Sequence, residues 1–464
     1  MTTEIAGLPF WEVRFDEQGD PDAALENTLV TEARQRGVTD LVVFSHGWNN
    51  DASIAMRLYT AFFTVLAGQL QHRRDAATTV GLVGVHWPAR RWSDEPIPDF
   101  VPVPAAAPGG GGAAALGDPA RPPGRDLATP PTTHIDDTTL NDLTALFPAA
   151  APGLTRMAAL LEGPATPDAV TEFKSLLDEY AASGAGEDDG EETRDRDPAQ
   201  PGMLQDDGPA LFVRFRDAAR EQGLAAPDDG GEAGIGDTMR GIWLGAKEAL
   251  RQATYWQMKN RAGVVGKHGL GPLLGRAHAA LPETRFHLVG HSFGARLVSF
   301  ALAGLPPGDP SPVKSLTLLQ GAFSHFAFAQ PLPLDASRNG ALAGMPAGVD
   351  GPLVVCFSEH DGAVGTFYPL ASLAARDDSA AADRALWRWG GMGADGAQGV
   401  GAVLRAIGGA GPGTTYPFAQ SGVLNIDASA VVRRGGPPSG AHSDIVHPEL
   451  TWVVLTAAGI VTNT

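Results

Sequence analysis

The chain has 464 residues, 43% of them hydrophobic, enough for one large α/β domain with insertions or for two or three ordinary domains. Its formal net charge of −19 at pH 7 repels nucleic-acid backbones and anionic lipid headgroups, so no nucleic-acid partner is expected. A single cysteine, Cys356, rules out an internal disulfide framework and a cysteine-based zinc cluster, and it lies in an apolar run as a small core residue would.

The amino-terminal stretch "MTTEIAGLPFWEVRFDEQGD" lacks the basic start and long apolar run of a secretory signal. No uninterrupted apolar stretch reaches membrane-spanning length either, so the expectation is a soluble, cytoplasmic protein with no transmembrane segment. The segment "FWEVRFDEQG" (10–19) alternates apolar and polar residues, which predicts an antiparallel or edge strand. "LVVFSH" (41–46) is instead continuously apolar, as a strand covered on both faces must be. After it, Ser53 is a possible cap for a helix whose inward stripe is Ile54, Leu58, Phe62, Val65 and Leu66. "VGLVGVHW" (80–87) is a second buried strand.

From about residue 93 to 231 the pattern breaks. The run "VPVPAAAPGGGGAAALGDPARPPG" and the acidic "EDDGEETRDRD" bury too little apolar surface to offset the entropy of ordering, so a partly flexible insertion and possible lid is expected, with helical islands at "LNDLTALF" and "VTEFKSLLDEYAA". It leads into the helix "DTMRGIWLGAKEALRQATYWQMKNR", which carries Met239, Ile242, Trp243, Ala246, Leu250 and Ala253 on one face. Three buried strands follow, "RFHLVGHS" (285–292), "SLTLLQGA" (315–322) and "PLVVCFSEHD" (352–361), and "VLNIDAS" (423–429) is the last. A closing helix starts at Pro448 and turns Leu450, Val453, Val454 and Ala457 inward. Strands alternating with helices predict an α/β fold, a mostly parallel sheet with helices on both faces. Its core is residues 1–92 and 232–464, split by the insertion, and no internal repeat is present.

Gly290-His291-Ser292-Phe293-Gly294 fits the G-x-S-x-G template, in which a serine sits on a sharp turn between strand and helix. In a chain with 58 glycines the template needs structural context, and an apolar run before it and "ARLVSFALAG" after it supply that context. A serine hydroxyl needs a base, a group that orients the base, and donors for a developing oxyanion. The donor candidates are the backbone amides of Phe293, next after the serine, and of Trp48, in the "SHGWNND" turn that follows an earlier strand. An ordinary glycine turn with Asn49 and Asn50 capping the next helix accounts for that stretch equally simply. The acid candidate is Asp361, which ends a strand before a glycine, with Glu359 in reserve and Asp427 behind it; an Asx-turn is the structural alternative for Asp361. The base is His442 or His447, both in "SGAHSDIVHPEL", with His442 favoured because His447 precedes Pro448 at a helix cap. His46, Gly47, His291 and Phe323 adjoin these positions and are the candidate substrate-binding residues, whereas His86, His287, His325 and His360 read as structural.

The chain order Ser292, Asp361, His442, together with the elements "SHGW", "VHWPA" and "GHSFG", resembles the α/β-hydrolase superfamily, in particular its bacterial esterase-like and lipase-like members. The resemblance covers roughly residues 8 to 92 and 232 to 464. It implies a sheet of about eight strands, a Ser-His-Asp triad and neither a metal nor an organic cofactor. Lids in that family commonly follow the strand after the nucleophile, whereas the insertion here precedes it. A small-molecule carboxylic ester with a short or medium acyl chain is the implied substrate, then a lipid ester, and the same triad serves thioesters, amides or acyl transfer. Phe323, Phe326, Phe328, Phe367, Tyr368, Trp243 and Trp256 are candidates for an apolar pocket, and core packing explains each equally well. A catalytically idle binding protein on the same fold, with the acidic insertion recruiting a basic partner, is the alternative from another class. Gly391 to Gly396 matches G-x-G-x-x-G but follows "ALWRWG" rather than a strand, so a dinucleotide site is not expected.

Overall fold

The computed structural model describes residues 3–72, 75, 77–89, 92, 100, 133–183, 207–221, 235–307, 311–333, 335–364, 390–418, 422–436 and 439–461. The Pro/Gly/Ala-rich and acidic runs of the insertion, together with Phe367 and Tyr368, lie outside them.

Nine strands form one sheet: β1 (Thr3–Ile5), β2 (Leu8–Arg14), β3 (Asp40–Ser45), β4 (Val80–His86), β5 (Arg285–His291), β6 (Val313–Leu319), β7 (Leu353–Phe357), β8 (Val403–Ala406) and β9 (Val423–Asp427). Their spatial order is β1-β2-β4-β3-β5-β6-β7-β9-β8, and every pairing is parallel except β1 with β2. The central strands β3, β4 and β5 bury nearly every residue, which explains their continuous apolar runs. Strand β2 departs from its expected place. It ends at Arg14 and lies parallel to β4, with an antiparallel partner only in the three-residue β1. Its alternating composition reflects unequal cover of its two faces, with Val13 buried between half-buried Glu12 and exposed Arg14. Two strands beyond expectation, β1 and β8, close the two edges; β8 is four exposed residues and carries no periodic signal.

Helices cover both faces. On one side lie α2 (Ala52–Gln69) and the carboxyl-terminal helix, here α11 (Pro448–Ala457), which pack on Val42, Phe44, Leu82 and Val354. On the other lie α1 (Ala23–Gln35), α7 (Ile235–Val264), α8 (Gly271–Ala280) and α9 (Phe293–Ala303), against Val43, Val83, Leu288 and Leu318. Helix α2 is capped by Asp51, not Ser53: one Asp51 carboxylate oxygen accepts from the Ser53 and Ile54 amides at 2.8 and 2.9 Å. Ile54, Leu58, Phe62 and Leu66 are buried as expected, and Val65 is half-buried.

Between β4 and β5 the described part of the insertion is helical: α3 (Asp137–Leu146), α4 (Ala151–Leu161), α5 (Pro167–Ser183) and α6 (Gly208–Glu221). They pack on α7 around a core of their own that includes Leu154, Met157, Phe173, Leu177 and Phe212. Helix α7 serves two cores at once. Trp243, Ala246, Leu250 and Ala253 face the insertion, and Met258 and Ala262 face the sheet. Ile242 is half-buried against the insertion core, and the Met239 side chain lies outside the described residues. The sheet has a topological switch at its centre, because the chain leaves β3 toward β4 on one side and reaches β5 on the other. Such a switch opens a crevice at the carboxyl ends of the two strands. No helix among the described residues is long and apolar enough to cross a membrane.

Candidate active site

Strand β5 ends at His291 and α9 begins at Phe293, so Ser292 alone makes the turn, with φ 58° and ψ −124°. A non-glycine residue in that region is strained by about 1–3 kcal/mol. The neighbouring glycines make the turn sterically possible. A Cβ on Gly290 would lie 2.4 Å from the Gly294 carbonyl oxygen, and one on Gly294 would lie 2.1 Å from that of Ser45. The turn thus wedges between β3 and α9 with its hydroxyl at the crevice rim, 7% exposed.

The Ser292 Oγ lies 2.8 Å from His442 Nε2, and His442 Nδ1 lies 2.9 Å from Asp361 Oδ2. A carboxylate only accepts, so His442 carries its proton on Nδ1 and accepts the serine hydroxyl at Nε2. The three residues come from three separate carboxyl-end loops, after β5, β7 and β9. The other Asp361 oxygen accepts the Val364 amide at 3.0 Å, so the Asx-type bond and the bond to the histidine coexist. The loops are further tied by a bridge between Asp361 and Gly440.

His447 is elsewhere. It is the N-cap of α11, and its Nε2 lies 2.9 Å from Asp444 Oδ1. Glu359 is exposed, and Asp427 caps its own turn by accepting from Ser429.

His291 is buried, and its Nε2–H donates to the His442 carbonyl at 2.8 Å. Burial, and then the nearby His442, push its pKa down to about 3, so it stays neutral beside that ring. His46 is likewise buried, stacks on Trp87 with ring centroids 5.7 Å apart, and has its pKa lowered to about 3 by desolvation first and by His86 second. Its Nδ1–H donates to the Gly47 carbonyl at 2.8 Å, which also accepts from Asn50 Nδ2 at 3.1 Å. Asn50 therefore fixes the loop from within instead of capping α2. With the Gly47 carbonyl held there, the planar trans peptide turns the Trp48 N–H to its opposite edge. Gly47 itself lies against Ser292: a Cβ there would fall 2.5 Å from Ser292 Cβ and 3.1 Å from its Oγ. The Trp48 and Phe293 backbone amides donate no hydrogen bond among the described residues.

Phe323, Phe326 and Phe328 are buried, and Trp243 is buried in the helical module, donating to the Gly163 carbonyl at 2.7 Å. Trp256 is half-buried, with the Lys259 ammonium 4.9 Å from its ring centre. Cys356 is wholly buried, and desolvation pushes its thiol up to about 12. Residues 391–396 form the short helix α10 (Met392–Asp395) and its flanks; Gly393 backs Asp361, its absent Cβ falling 3.0 Å from Asp361 Oδ2. Among the described residues no group of three or more His, Cys, Asp or Glu is placed to hold a metal ion. From sequence Asn50 reads as a helix cap, and nothing singles out Tyr255. Tyr255 lies on α7, its ring 4.6 Å from that of Phe293 and 5.3 Å from that of Trp48. It is one polar-tipped residue in a helix whose apolar stripe points elsewhere.

No protein-family model, curated protein or solved structure matches the chain.

Proposed function

We propose that this protein is a serine hydrolase of the α/β-hydrolase fold that cleaves carboxylic esters through an acyl-enzyme. The observation that carries the reading is the unbroken relay from Asp361 through His442 to a serine on a strained strand-to-helix turn, with idle backbone amides on the flanking loops. The strand order, with the nucleophile at the switch point between β3 and β5, agrees with it.

In this mechanism His442 Nε2 takes the Ser292 proton as Oγ bonds to the ester carbonyl carbon. The carbonyl electrons move to oxygen, and the N–H groups of Trp48 and Phe293 bind that oxyanion. Asp361 holds the imidazole tautomer and balances the imidazolium. As the carbon–alkoxide bond breaks, His442 returns the proton to the leaving alcohol. Water then repeats the sequence on the acyl-serine, releasing the acid and restoring Ser292. Aimed amide donors of this kind supply about 3–4 kcal/mol each. A site built from neutral histidines and aromatic rings favours an uncharged ester with a short or medium acyl chain.

A chromogenic ester series of increasing acyl length tests the proposal. The expected result is turnover with a stoichiometric burst of the chromogenic alcohol on the best substrates. Neither turnover nor burst across the series overturns it.

A further inference from the structure

We infer that helix α7 is a working part of the oxyanion site, with Tyr255 as its positioning residue, and that the helical insertion packed on α7 adds a second tie to the same loop through Trp92. This rests on the serine-hydrolase reading above and goes beyond it, since nothing in the triad itself calls for the insertion.

Both proposed oxyanion donors belong to aromatic residues, and their side chains meet on one ring. Tyr255 packs against Phe293 with centroids 4.6 Å apart and against Trp48 at 5.3 Å, close to edge-on, while Trp48 and Phe293 lie 6.2 Å from each other. The Trp48 indole N–H is buried with no hydrogen-bond partner among the described residues, so packing alone holds that side chain. A second tie comes from the insertion. Asn49, the only non-glycine residue of this loop with positive φ (63°), accepts the Trp92 backbone amide at 2.7 Å. Trp92 is 1% exposed in the insertion core, under the Arg251 guanidinium at 4.8 Å.

The sheet side fixes the other edge of the same loop through His46 and Asn50, both bonded to the Gly47 carbonyl. The loop that aims the Trp48 amide is therefore clamped between the sheet and the helical module. Trp48 belongs to both packing clusters, the one over the sheet and the one inside the insertion. Loss of the Tyr255 contact or of the Asn49 tie lets the donor drift. A misplacement of about 1 Å is enough to cost about 100-fold in rate.

Tyr255→Ala is therefore expected to lower kcat about 10- to 100-fold on the best ester while KM stays within threefold, and to weaken a trifluoromethyl ketone, which forms an oxyanion on Ser292, by a similar factor. Tyr255→Phe, which keeps the ring, is expected to restore most of the rate. Asn49→Gly tolerates the same backbone conformation and removes the tie to Trp92, so it lowers kcat in the same direction even if Tyr255→Ala folds poorly. Native kcat and native ketone affinity in both Tyr255→Ala and Asn49→Gly overturn the inference, and so does a loss that appears in KM alone. Reaction of native Ser292 with a fluorophosphonate separates the two levels. If native protein is labelled and the variants behave as native, only this inference fails; if native protein is not labelled, the hydrolase reading fails first.

Discussion

The sheet holds two Asp–His–Ser chains, one at each end of strand β5, and only one has the other attributes of a nucleophile. At the carboxyl end, Asp361, His442 and Ser292 are linked at 2.9 and 2.8 Å. At the amino end, Asp40 accepts from His287 Nε2 at 3.0 Å, and His287 Nδ1 accepts the Ser315 hydroxyl at 2.9 Å. The bond lengths hardly differ. The surroundings do. Asp40, His287 and Ser315 all sit inside paired strands and are 2% exposed or less, and the Arg285 guanidinium closes the Asp40 carboxylate. Ser315 stands within β6 opposite His287, just after a shift in the β5–β6 register. Ser292 stands on a positive-φ turn beside unpaired amides, and His442 keeps a 12% exposed side chain at the rim. Hydrogen-bonded geometry alone therefore does not make a nucleophile; strain, access and amide donors distinguish the two ends.

The sharpest way to break this contrast is to delete each hydroxyl. Ser292→Ala is expected to lower ester kcat/KM by at least about 10⁴-fold, because triad members act as a unit. Ser315→Ala is expected to stay within twofold of native, and a comparable loss in both would erase the distinction. Removing each carboxylate comes next. Asp361→Asn leaves His442 in the wrong tautomer and lowers kcat by about 10⁴-fold. Asp40→Asn leaves kcat near native and instead costs about 1–3 kcal/mol of stability by denaturant titration, since a buried network loses its acceptor.

The smallest effect is one the two ends share. Burial lowers the pKa of His46 and His291 to about 3 and of His86 to about 4, and it also lowers that of His287 despite the opposing pull of Asp40. An unfolded histidine titrates near about 6.5, so below that pH the unfolded chain takes up protons that the folded chain refuses. The stability these neutral rings contribute is complete above that value and falls as pH drops toward their folded pKa values. Each ring adds a slope of at most about 1.4 kcal/mol per pH unit. Urea midpoints at pH 7.5 and 5.0 should show the lower value at pH 5.0; equal midpoints would contradict neutral burial.

Much of the site was legible because its physics is local. The apolar run before Ser292 and the glycines at 290 and 294 mark a buried strand entering a turn too tight for side chains, Asp361 closely follows the apolar strand β7, and His442 lies in the loop between the last strand and the last helix. What stayed hidden depends on tertiary contacts. The cap of α2 is Asp51 because the chain path before the helix aims that carboxylate at two free amides, a fact Ser53 could equally have claimed from sequence. The helices of the insertion looked too weakly apolar to form a core. They do so by sharing α7, whose inner face lends Trp243, Ala246 and Leu250 to them. Strand β8, with no buried residue, exists only through its pairing with β9. Tyr255 falls off the apolar stripe of α7, and its place beside Trp48 and Phe293 needs three distant segments to meet.

Intact-mass and peptide-level mass spectrometry after exposure of the native protein to a fluorophosphonate addresses the central claim most directly. One adduct on Ser292, absent from Ser292→Ala and never found on Ser315, is the predicted result. A native protein that stays unmodified, or that is modified at another residue while Ser292 remains free, would contradict it.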